Sequence, residues 1–336
     1  MRIVSGPEVK PQSAILCAAM SEMSEPAPPP PSPTLRVHAA LLLVQVIFGG
    51  FHVVAKAVLG ELPPLALAGI RVALATPLLV LVAWRHDRVL PARRDIPLLV
   101  VLGLLGVTAN QLFFITGLEY TTAINASILM PSMPVFTAAT AALLGIERIG
   151  GRRLLGIALS VAGALVLVNP FRFTGGQGAA LGNLLILINC LSYSLFLVFQ
   201  RPLLERLPWR TLIAASFVFG SLGVLPVSAP ALAALDFGEV STPAWLGVLY
   251  IVLLSTAFAY SISTWAVRRS SPALVSAYST LQPLATSVLA ATLLGERFGW
   301  AEGLGLALIV AGLWQVSRPQ SPARPTRSGG PAGAAP

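Results

Sequence analysis

Charge is what this sequence has least of. Asp, Glu, Lys and Arg make up only 10% of its 336 residues, against 55% hydrophobic residues and a mean hydropathy of +0.80. A soluble domain carries roughly a quarter of its residues as charges, so this composition indicates an integral membrane protein. Cysteine is scarce as well. Cys17 lies near the start and Cys190 in an apolar stretch, which excludes a disulfide framework and a cysteine metal cluster. No Asp or Glu lies deep in any apolar stretch, so the carboxylate relay of a proton-driven antiporter is missing. The same stretches hold no acid pair, His-Glu metal motif, or Ser-Lys or Ser-His pair at helical spacing, which argues against an intramembrane enzyme. No catalytic residue, metal ligand or cofactor is expected.

What the sequence does have is apolar length. A helix needs about 20 apolar residues to cross a bilayer core of roughly 30 Å. Ten segments meet that need, near 37–57, 64–84, 96–116, 121–145, 153–169, 180–200, 209–229, 243–265, 271–294 and 300–317. Polar connections such as "RHDRVLPARRD", "RFTGGQG" and "RPLLERLPWR" separate them. The fold expected is therefore an all-α integral membrane protein of ten transmembrane helices. Residues 1–35, with "EPAPPPPSP", read as a disordered Pro-rich tail, and residues 318–336 as a second disordered tail. "AILCAAM" is too short and poorly flanked for a secretory signal, and Met20 or Met23 is an alternative start.

Basic residues orient the spans. With the N-terminus in the cytoplasm, 16 bases fall in inside segments, from Arg36 and Arg85 through Arg318 and Arg327. Only Lys56, Arg172 and Arg297 fall outside. This asymmetry places both termini in the cytoplasm, in a multi-pass protein of the inner membrane. It also accounts for the net charge of +9 without nucleic acid, because the bases are dispersed over short loops.

One element occurs twice. "PVFTAATAALLGIER" (134–148) returns as "PLATSVLAATLLGER" (283–297), and the same shift of 149 carries "GIALSVAG" (156–163) onto "GLALIVAG" (305–312). The repeated element covers spans 4–5 and 9–10, so the unit is five helices, bounded at 36–169 and 179–317. Five is odd, so the second copy enters the membrane from the opposite side. The front halves match more weakly at a shift of 144, which pairs Glu61 with Glu205 and Pro64 with Pro208. Two inverted five-helix halves form a transporter architecture with its site at their interface.

Together with "GLEYTTAINASILMPSMPVF" (117–136) and "SPALVSAYSTLQPLATSVLAATLLGERF" (271–298), this pattern resembles the EamA-type members of the drug/metabolite transporter superfamily over roughly 38–317. "NQLFFITGLEYTTA" (110–123) and "AYSISTWAVRRSSPALVS" (259–276) are also similar to its plant nodulin-like members. Ile146 stands where the second half has Gly295, a departure at a helix end. The resemblance implies a secondary carrier working by alternating access. Its expected task is export or exchange of a small metabolite, an amino acid or related compound. Import of an organic anion is the alternative, with an intramembrane enzyme last. The partners implied are a small-molecule substrate and the lipid bilayer, no nucleic acid, and a homodimer is left open.

Polar residues inside apolar spans supply the candidate site. Arg71 lies eight residues past Pro63 in span 2, roughly 12 Å below its outer end at about 1.5 Å per residue. An arginine there costs about 2.5–3.5 kcal/mol on insertion scales. It either snorkels, ties a helix-end carbonyl, or holds a substrate carboxylate or phosphate. His52, one turn from Lys56, reads as the only histidine within a span and so as the one side chain there that titrates near neutrality. A packing histidine is the commoner outcome. Lys56 reads as an interfacial anchor. Gln45 and the "FGG" of 48–50 share that helix. Asn110, Gln111, Asn125, Ser127, Asn189, Ser192, Tyr193, Tyr260, Tyr278 and Gln282 either line a pocket or join helices at about 0.6 kcal/mol each. Tyr250 and Trp265 read equally as belt aromatics or substrate platforms. Glu147, Arg148, Glu296 and Arg297 mark helix ends with a structural or gating role.

Overall fold

A chain that crosses a bilayer must satisfy its backbone polar groups internally, and helices do so within one segment. The computed structural model describes residues 33–121, 123–144, 150–168, 179–294 and 300–317, and no strand occurs among the described residues. The first half runs through α1 (Leu35–Val58), α2 (Pro64–His86), α3 (Arg93–Tyr120), α4 (Ala123–Leu129), α5 (Ser132–Leu143) and α6 (Gly151–Val168). The second runs through α7 (Ala179–Arg206), α8 (Trp209–Ala233), α9 (Thr242–Arg269), α10 (Pro272–Ala277), α11 (Gln282–Leu294) and α12 (Trp300–Ser317). Among these, α1, α2, α3, α7, α8 and α9 are long and apolar enough to cross a membrane.

The two element orders correspond. Both α3 and α9 contain a π-helical stretch, Leu104–Ala109 and Ile251–Phe258. The segment expected as one span over 121–145 breaks at Met130 and Pro131, because Pro131 has no N–H to continue the ladder. Its counterpart over 271–294 breaks at the same place, where a 3-10 turn, Tyr278–Leu281, joins α10 to α11. Pro63 and Pro208 hold the N-cap positions of α2 and α8 with φ −57° each. The front halves therefore correspond at a shift of 145 (208 − 63), not 144. Glu61 is matched by Arg206 instead of Glu205.

Corresponding helices also pack on each other. A Cβ added at Gly156 of α6 would lie 2.7 Å from the carbonyl oxygen of Gly312 in α12, and one at Gly163 would lie 2.7 Å from that of Gly305. The order of these contacts makes α6 and α12 antiparallel, and the absence of side chains lets the backbones touch. α2 and α8 also run antiparallel. Gly69 faces Ser228 near one end, while Asp87 pairs with Arg210 at 3.0 Å at the other.

Helix ends are tied by charge, and here two expectations change. Lys56 is not simply an interfacial anchor. Its ammonium donates to the carbonyls of Leu118 (2.7 Å) and Thr121 (2.8 Å), where the terminal carbonyls of α3 lack helical donors. Arg201 does the same for α9, donating to Val267 (2.6 Å) and Ser270 (3.0 Å). Nor is His52 the only histidine in a span, since His38 lies in α1 and meets the Tyr278 hydroxyl at 2.5 Å. Between helices, Glu61 takes the N–H (2.8 Å) and hydroxyl (2.7 Å) of Ser241, the N-cap of α9. Its match Arg206 pairs with Asp95, at the start of α3, at 3.7 Å. The tails over 1–32 and 318–336, and Glu147, Arg148, Glu296 and Arg297, lie outside the described residues.

Candidate functional site

Both halves line one lumen, whose non-atom space, open solvent included, is about 580 Å³. From the first half it takes Gln45, Phe48, Phe51 and His52 of α1, Arg71 of α2, Asn110 and Phe114 of α3, and Met130 and Met133 around the α4–α5 break. The second half contributes Asn189 and Tyr193 of α7, and Tyr260 and Ser263 of α9. Val275, Ser276, Ser279 and Gln282 line it around the α10–α11 break. Several lining positions correspond between halves. A shift of 145 carries Phe48 onto Tyr193, and 149 carries Met130 onto Ser279 and Met133 onto Gln282. The lumen thus straddles the relation between the halves.

Arg71 is 2% exposed and does not snorkel. Its Nε donates to the Thr256 hydroxyl at 2.5 Å, its Nη2 reaches Ser255 at 3.4 Å, and its guanidinium lies 4.6 Å over the Phe51 ring. The π-helical stretch of α9 supplies both hydroxyls, and Thr256 in turn donates to the Ile251 carbonyl (2.7 Å). Ser216 occupies the position matching Arg71 in the second half and donates to the Leu212 carbonyl in its own helix. The cation therefore has no counterpart in the second half.

Next to it, the Tyr260 hydroxyl donates to the Asn110 side-chain oxygen, and Asn189 donates to the Asn110 carbonyl at 2.8 Å. This joins α3, α7 and α9 across the halves. Tyr260 sits within a ring cluster, edge-on to Phe48, Tyr193 and Phe217. At the other side Gln282 donates to Gln45 at 3.0 Å, where Gly49 lets α1 approach Ala285 of α11. His52 meets the Phe48 carbonyl through Nδ1 at 2.7 Å, whereas its Nε2 is buried without a partner.

Eight of the eleven residues expected from the sequence come together in this lumen: Arg71, His52, Gln45, Asn110, Asn189, Tyr193, Tyr260 and Gln282. Three do not. Gln111 is fully buried outside the lining, because it faces away from the lumen that its neighbour Asn110 faces. Tyr278 turns to His38 instead. The Asn125 side chain lies outside the described residues. Tyr250 bonds the Ile47 carbonyl at 2.6 Å and lies against Gly50, and Trp265 carries Arg269 over its ring at 4.7 Å. Neither lines the lumen. The sequence reading missed Phe48 as a side chain, Phe51, Phe114, Met130 and Met133, whose apolar character carries no signal in an apolar span. Among the described residues no Asp or Glu lines the lumen, and no group of His, Cys, Asp or Glu is arranged to hold a metal ion.

Comparison with known proteins agrees with this geometry. Protein WALLS ARE THIN 1 of Arabidopsis thaliana is 29% identical over 84% of this chain and 82% of its own length. A probable amino-acid metabolite efflux pump of Escherichia coli is 30% identical over 81% and 92%. A crystal structure of 19% identity aligns with a TM-score of 0.65 over 83% of this chain and 97% of that one, showing the same fold. The model of the EamA-like transporter family matches twice, at residues 35–169 and 180–318, on the two halves whose elements correspond and which share the lumen. The chain therefore belongs to the EamA-like transporter family.

Proposed function

We propose that the protein is a secondary carrier that exports or exchanges a small metabolite by alternating access between two inverted five-helix halves. The observation that carries this reading is a single lumen lined by corresponding positions of both halves, within a chain matched twice by a transporter family. The antiparallel crossing of α6 with α12, and of α2 with α8, supports the inversion. A site at the interface of inverted repeats opens to one side or the other as the halves exchange conformations. In the same reading, the base asymmetry puts both termini in the cytoplasm, and the Asn110–Tyr260–Asn189 network belongs to the substrate site. An amino acid or related compound is the first substrate class, following the name of the Escherichia coli relative. One observation favours a second class, an organic anion: among the described residues Arg71 is the one Lys or Arg lining the lumen, and it meets two hydroxyls and the Phe51 ring but no carboxylate.

The test is time-resolved uptake and counterflow in proteoliposomes of the purified protein, with a panel of amino acids and carboxylates. Saturable movement of at least one solute is expected. Failure of the folded, reconstituted protein to move any of them would remove the carrier reading.

A further inference from the structure

Among the described residues, Arg71 has no carboxylate partner. Its Nε and Nη2 go to hydroxyls, and among the described residues none accepts from Nη1 and no carboxylate lines the lumen. A buried guanidinium without an opposite charge is costly, and an arriving anion removes that cost. An α-amino acid would bring an ammonium group into the same space, where no carboxylate receives it. Aromatic faces can hold an ammonium group, but the Phe51 face beside the carboxylate position already carries Arg71, and the other lumen rings bring no negative charge to balance it. The charge balance of the lumen fits a net monoanion.

His52 specifies a second feature. The Phe48 carbonyl can only accept, so Nδ1 carries the ring proton, and Nε2 of the neutral imidazole is left as an acceptor. That nitrogen is buried and unpartnered on a residue lining the lumen. An N–H or O–H group on the substrate would satisfy it. Between Arg71 and His52 the walls are flat and apolar. Phe51 and Phe114 stack at 5.1 Å, His52 stands edge-on to Phe114 at 5.5 Å, and Phe48 stands edge-on to Tyr260 at 6.2 Å. Such walls suit a planar ring.

We infer that the substrate is an aromatic monocarboxylate bearing a ring O–H or N–H and no ammonium group. Its carboxylate sits on Arg71 Nη1, its ring lies among the lumen aromatics, and its donor meets His52 Nε2. The inference rests on the carrier reading and narrows it to the anionic class.

A probe series decides it without depending on any variant folding. Uptake into proteoliposomes is measured for 4-hydroxyphenylacetate, its neutral amide, phenylacetate and tyrosine, beside the amino-acid panel. 4-Hydroxyphenylacetate should move saturably, with tyrosine and the amide at least about tenfold weaker, the loss expected for one charge-assisted contact. Phenylacetate should be several-fold weaker in the wild type, and His52→Phe should abolish that difference. Arg71→Lys should weaken uptake and Arg71→Gln should end it. Tyrosine moving as well as 4-hydroxyphenylacetate would overturn the inference while leaving the carrier intact. So would movement of panel amino acids with no aromatic acid taken up. If no solute at all moves, the carrier reading falls with it.

Discussion

Lys56 and Arg201 make the same contact in opposite halves of the chain. They are 145 residues apart, and the carbonyls they hold, Leu118 and Thr121 against Val267 and Ser270, are each 149 apart. In each half a cation toward the C-terminal end of the first helix, Lys56 in the last turn of α1 and Arg201 five residues before the end of α7, holds the open carbonyl end of the third. Negative ends of helix dipoles are neutralised there, and the helices are locked as a pair.

Removing either cation should therefore destabilise its own half. Lys56→Met and Arg201→Met are each expected to cost about 1–3 kcal/mol, the range for hydrogen bonds to a charged group. Lys56→Arg and Arg201→Lys should retain most of the stability. The two sites lie in different halves and hold different carbonyls, so the double variant should show an additive loss. Thermal unfolding in detergent measures this. A wild-type midpoint in either Met variant would refute the capping role.

The α6–α12 contact has no room for a side chain. Gly163→Val would push a Cβ within 2.7 Å of the Gly305 carbonyl oxygen and 2.8 Å of Leu308 Cβ. A cost of about 1–3 kcal/mol or more and a reduced folded yield are expected. Gly303→Ala, with nothing within 4 Å, is the control and should behave as wild type. Equal yields from both variants would contradict the packing described.

Glu61 makes acid stability testable. The backbone N–H and hydroxyl of Ser241 hold its carboxyl below the ordinary carboxylate range. A depressed folded-state value means its contribution is present above the unfolded value, about 4.3, and lost as the pH falls through the folded one. Wild type should therefore lose more thermal stability than Glu61→Gln between about pH 5 and pH 3. Parallel acid profiles of the two proteins would show that the contact contributes nothing.

Topology is tested by impermeant thiol labelling in a Cys17→Ser background, which leaves only the buried Cys190. A cysteine at Gly238, exposed between α8 and α9, should react from outside, and one at Leu90, exposed between α2 and α3, should not. Reversed labelling would place the termini outside.

The helices could be read from the sequence because a bilayer imposes a length and a hydropathy that few other constraints mimic. Arg71, Asn110 and Tyr260 stood out for the same reason, as polar groups within apolar runs. Phe51, Phe114 and Met133 could not, since an apolar side chain facing a lumen and one facing lipid look alike in sequence. Asn110 and Gln111 show a second limit. They are adjacent and equally polar, but successive residues of a helix point roughly 100° apart, and only Asn110 lines the lumen. Lys56 was misread because its partners are backbone carbonyls, which carry no residue identity.

The glycine crossing maps onto itself under the relation between the halves. The shift of 149 sends Gly156 to Gly305 and Gly163 to Gly312, so the contacts Gly156–Gly312 and Gly163–Gly305 are exchanged for one another. A surface that is its own partner under such an exchange is the signature of an isologous dimer. The two halves thus meet here through one and the same face of each, so widening either glycine pair strains a contact whose counterpart is the other pair.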